Sequence, residues 1–153
     1  MKQWRHKLSF LEMCGHLLHI MAFAEECQDG VVATRIDNDG SVRMWEKGYD
    51  LKCVVNNSLI RTADYVATAL GCQAFVVGTT RRSTWGAVAA DALSKSDMKE
   101  FSNVMMDRFG VVKPPKQVPK SFLRWLNEPV VDKDLGKRIV DDLQKMGRVK
   151  RYF

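Results

Sequence analysis

Between Leu8 and Gln28 the apolar residues recur at helical spacing, and no other feature constrains the fold of this chain as firmly. At about 100° per residue, Phe10, Met13, Cys14, Leu17, Ile20, Met21 and Ala24 fall on one face, a stripe that must be buried against other elements. Glu12, His16, His19 and Glu26 fall on the opposite face, which the pattern predicts toward solvent. Asp29-Gly30 is the stop signal.

The same stretch has the outline of a leader. Lys2, Arg5 and Lys7 precede it, and Ala22-Phe23-Ala24 imitates a cleavage site. Glu12, His16 and His19 interrupt the apolar run, and cleavage would leave an odd set of cysteines, Cys27, Cys53 and Cys72. The four cysteines have no CxxC spacing, which fits buried thiols in a reducing cytoplasm. No uninterrupted apolar run is long enough to span a bilayer, so no membrane partner is expected. With 153 residues, 46% hydrophobic, the chain can bury a core without disulfides or metals.

After the first helix the pattern reads as α+β, with a mixed sheet of four or five strands. Val31–Ile36 and Ser41–Glu46 enclose Asp37-Asn38-Asp39-Gly40, a hairpin signal. Leu51–Val55 reads as a third strand, Asn56-Asn57-Ser58 as a cap, and Leu59, Ala63, Val66, Ala67 and Leu70 as the face of a helix closed by Gly71. Ala74–Gly78 has the continuous apolar run of a buried strand, which would complete one βαβ unit with Leu51–Val55. Trp85–Leu93 is compatible with a helix or a returning strand. Ser96 is the predicted cap of a helix carrying Met98, Phe101, Met105 and Phe109 and stopped by Gly110.

Net charge divides the chain more sharply than composition does. Residues 1–110 hold 13 Lys+Arg against 13 Asp+Glu, whereas residues 111–153 hold 11 against 5, the whole of the formal +6. The expected organisation is an α+β body over 1–110, a Pro/Lys linker over 111–120, and a basic helical extension over 121–153. That extension, with helices at Phe122–Glu128 and from Asp132, would pack on the body, on a partner or on a second copy of itself. Leu135, Ile139, Leu143 and Met146 are its apolar anchors.

Three constellations carry chemistry. The turn after the central strand, Thr79, Thr80, Arg81, Arg82, Ser83, Thr84 and Trp85, offers guanidiniums, hydroxyls and an indole to an anion such as phosphate. It lacks P-loop spacing. In the last third, Lys113, Lys116, Lys120, Arg124, Lys137, Arg138, Lys145, Arg148, Lys150 and Arg151 recur with Trp125, Tyr152 and Phe153 among them. Spaced cations neutralise successive phosphates, and aromatics stack on bases, so nucleic acid or an acidic protein is the expected partner. His16 and His19 could hold a divalent metal with Glu12 and Glu26, but they lack HExxH spacing and their face reads as a solvated one.

No nucleophile elbow is present, and nothing selects a general base among Glu46, Asp50 and Asp91. No cofactor motif occurs either. The strand–helix–strand order with its alanine-rich continuation is similar to that of many small α+β proteins, including phage-encoded enzymes that act on S-adenosylmethionine. The likeness is one of pattern, and no residue of it forms a motif. Three readings follow. The first is an accessory protein binding nucleic acid, or a protein that handles it, through the extension. The second is a small enzyme acting on a nucleotide-like or S-adenosylmethionine-like metabolite at the Gly78–Gly86 turn. The third is a protein-interaction or inhibitor module.

Overall fold

A computed structural model describes residues 8–80, 83–112 and 116–150 of the chain. The elements run α1 (Leu8–Ala22), α2 (Ala24–Cys27), β1 (Val31–Ile36), α3 (Asp39–Lys47) and α4 (Val54–Ala69). They continue with β2 (Gln73–Gly78), α5 (Trp85–Ser94), α6 (Met98–Phe109), α7 (Lys120–Asn127) and α8 (Leu135–Lys145). Among the described residues the only sheet is a parallel pair, β1 beside β2, so the expected four- or five-stranded mixed sheet is replaced by a mostly helical fold.

The missing strands are helices or pinned loop, and each has a local cause. Asn38 does not make a hairpin turn. Its side chain accepts the Ser41 N–H at 2.9 Å and caps α3, which Gly48 ends with φ 80. Leu51–Val55 is not a strand because its surroundings are fastened to α4. Asp50 N–H donates to Asn57 Oδ1 (2.7 Å), and Asn56 Nδ2 donates to Asp50 Oδ2 (2.7 Å). Leu51 is left 89% exposed and α4 begins at Val54. The partner of β2 is therefore β1, with α3 and α4 as the crossover, and the strand–helix–strand likeness loses its first strand. Trp85–Ser94 is helical, capped by Thr84 through the Ala87 N–H (3.2 Å), and Asp97 rather than Ser96 caps α6.

The apolar stripe of the first helix is buried throughout, although Phe23 breaks that helix into α1 and the single turn α2. Its residues share one core with Leu59, Ala63, Val66 and Leu70, with Phe122 and Trp125 of α7, and with Leu135, Ile139 and Leu143 of α8. Helices α1 and α8 both pack on α4. Gly136 permits the close approach of α8: a Cβ there would stand 2.8 Å from the Tyr65 ring. The ladder begins where Asp29 N–H donates to Leu70 O and Gln73 N–H to Gly30 O, both at 2.9 Å. Gly71 makes that junction possible, since it has φ 63 and a Cβ would lie 2.6 Å from Asp29 Oδ1.

Helices α5 and α6 pack mainly on each other. Helix α6 buries no residue, and Leu93, Met98, Met106 and Phe109 are exposed. No helix among the described residues is long and apolar enough to cross a membrane.

The core predicts unequal responses to the same truncation. Leu17→Ala, at a site with no exposure, is expected to cost about 3 kcal/mol in urea unfolding, and Leu93→Ala about 0.5 kcal/mol or less. Equal costs would contradict the packing described here.

Candidate functional site

The cationic C-terminal third is folded onto the body, with its apolar anchors inward. Leu135, Ile139 and Leu143 are fully buried, Met146 stays at the edge, and Lys137, Arg138 and Lys145 stand on the opposite, exposed side of α8. On α7, Phe122 and Trp125 are buried while Lys120 and Arg124 are exposed. Asp142 of α8 accepts the Ser121 N–H at 2.9 Å, fixing one helix against the other.

Some of these cations are engaged within the chain. Lys116 pairs with Glu26 and lies over the Phe23 ring at 4.6 Å. That contact holds the Glu26 carboxyl below the usual carboxylate range. Arg138 pairs with Asp132, and Arg148 donates to the Gln117 carbonyl. Lys150 exchanges backbone contacts with the Gln28 side chain. Lys113 and Arg151, with Tyr152 and Phe153, lie outside the described residues.

Trp125 corrects the sequence reading. Its ring packs 6.0 Å from those of Phe10 and Phe122, and its Nε1–H donates to Val130 O at 2.8 Å. It is a core residue, unavailable for stacking on a base.

The turn after β2 is knitted to itself. Thr79 and Ser83 hydroxyls lie 3.2 Å apart, Ser83 Oγ donates to Thr80 O at 2.7 Å, and the Thr84 hydroxyl is spent on capping α5. Trp85 meets Phe109 edge-on at 5.2 Å, with Arg108 5.6 Å from its ring centre. Arg81 and Arg82 lie outside the described residues. Among the described residues, then, this turn offers an anion fewer uncommitted hydroxyls than its composition implies.

The histidines depart furthest from expectation. His16 is 4% exposed and His19 half-buried, because β1 lies against this side of α1. Both Nδ1 atoms stand 2.7 Å from one hydroxyl, that of Thr34. A hydroxyl has a single proton to give, so it can donate to only one of the two rings. The other ring must donate its own Nδ1–H and therefore carries a bare Nε2.

Burial lowers the His16 pKa to about 4, with His19 adding repulsion, and burial lowers His19 as well. Both are neutral at pH 7. His16 also meets Trp45 edge-on at 4.7 Å and reaches a cleft between α3, α4 and β2. Helical periodicity carries no sign of this arrangement, since its third member is on a strand 15 residues beyond His19.

Among the described residues no three His, Cys, Asp or Glu side chains group as a metal site. Burial pushes the Cys14 thiol up to about 12 and Cys27 to about 11, so neither is a nucleophile at neutral pH. Compared with protein-family models, curated proteins and solved structures, the chain matches none of them.

The pKa of His16 fixes a sign for the pH dependence of stability. The unfolded chain takes a proton near 6.5 and the folded one only near 4, so the contribution is complete above 6.5 and lost as pH falls toward 4. Urea unfolding is expected to lose about 2 kcal/mol between pH 7 and 5 from this group. His16→Gln should flatten most of that slope, and an unchanged slope would contradict the assignment.

Proposed function

We propose that the protein binds nucleic acid through the outer face of α7 and α8, by contact with the phosphate backbone. The supporting observation is the division of these two helices. Their apolar residues are committed to the core, which leaves Lys120, Arg124, Lys137 and Lys145 on the exposed side. Cations held on a folded surface neutralise phosphates without the ordering cost that a disordered arm incurs on binding. Trp125 is buried, so stacking by this residue is not part of the reading, and binding is indifferent to base sequence.

The test is fluorescence anisotropy with a labelled DNA duplex across a salt series. The affinity is expected to fall steeply with salt, with a log–log slope near −0.9 for each phosphate neutralised. Reversing three cations together (Arg124→Glu, Lys137→Glu, Lys145→Glu) should lower affinity by about tenfold or more and flatten the slope. Salt-independent binding, or a triple variant that binds as the parent does, would overturn the reading.

A further inference from the structure

The cleft that His16 reaches has a volume of about 750 Å³, within the range of small-molecule sites. Its space exists because α4 places alanines, Ala63 and Ala67, where larger residues would close it. Trp45 of α3 and Phe75 of β2 supply aromatic surface, and Phe75 is 48% exposed.

The cleft follows an unpaired strand edge. In a parallel ladder, alternate residues direct both backbone groups to the same side. Gln73 N–H donates to Gly30 O and Thr79 N–H to Ile36 O, both toward β1. Ala74 and Val76 therefore turn their N–H and C=O groups to the other edge, where no strand pairs among the described residues. Both line the cleft, and so does Phe75 from the opposite face of the sheet. An N–H and a C=O from one residue, side by side, match the adjacent acceptor and donor on the edge of a nucleobase.

Charge narrows the ligand further. Glu46 and Asp64 stand against Arg61 along the lining, a formal balance of one negative charge that disfavours a phosphate. The carboxylates suit hydroxyl or ammonium donors instead. With Nδ1 bound to Thr34, Nε2 is the one nitrogen His16 has left for a ligand, and no described residue bonds it.

We propose that the α3–α4–β2 cleft binds an uncharged or cationic nucleoside, its base on the free edge of β2 and His16 Nε2 in contact with it. The site is separate from the α7–α8 face and does not depend on the reading of that face.

The test uses the 153-residue chain with labelled histidine, followed by NMR, with adenosine, guanosine, cytidine and uridine at millimolar concentration. At least one is expected to shift the His16 signals saturably. Its 5′-monophosphate should bind about tenfold more weakly because of the charge balance. Phe75→Ala, at a half-exposed position, should weaken binding several-fold with the fold intact by circular dichroism. Ala67→Leu should abolish the shift by filling the space. No saturable response to any of the four overturns the proposal. So does a response that survives Phe75→Ala unchanged, or a monophosphate that binds as tightly as its nucleoside.

Discussion

The apolar faces of α1 and α4 meet in the main core, and the other elements take their places from that contact. Strand β1 lies on α1, β2 and α8 lie on α4, and α7 follows α8. A hydrophobic stripe of seven residues has no stable alternative to burial, so the surface that receives it determines which secondary structure can form nearby. Helix α4 provides that surface with Leu59, Ala63 and Val66, and it is held at its N-terminus by the Asp50–Asn56–Asn57 hydrogen bonds. The α5–α6 hairpin does not join this core, and it has correspondingly little to hold it in place.

A two-stranded parallel sheet cannot stand alone, because its crossover must cover it. Here Val32, Thr34, Ile36 and Val76 face the helices, while Val31, Ala33 and Phe75 alternate outward with little cover. The same cover creates the polar centre of the molecule. Docking β1 on α1 buries Thr34 against two histidines, removing His16 from water and half-covering His19. Their neutrality, and the fixed relation between their tautomers, are consequences of packing.

The helical stripe was legible residue by residue, as were the helix stops Gly71 and Gly110, both of which have positive φ. The anchors Leu135, Ile139 and Leu143 were legible too. What misled was the reading of short segments by turn residues alone. Asn38 is as good a helix cap as a turn former, and Asp39 at the start, Lys47 at the end and Gly48 beyond them are helix signals in the right order. Leu51–Val55 was not separable from a strand, because its last two residues open α4 and the bonds that fasten the loop before them at Asp50 come from Asn56 and Asn57 of that helix. His16 looked solvated because α1 was read as two-faced, whereas β1 and α3 cover its polar side. The cleft was invisible for the same reason: it is made of side chains from four separate elements.

Charge was legible in amount and in position along the chain, and so were the helices that carry it. What the sequence did not show is that Trp125 turns inward, away from the cationic side. In the proposed function, attraction for nucleic acid is confined to the outer face of α7 and α8. Backbone amide NMR of the protein with a short DNA duplex tests this most directly, because every described residue except proline reports separately. Shifts concentrated on α7, α8 and the residues around Lys116 and Lys150, with α3, α4 and β2 unmoved, are the predicted result. Shifts centred on the α3–α4–β2 cleft or on the α5–α6 hairpin would contradict it.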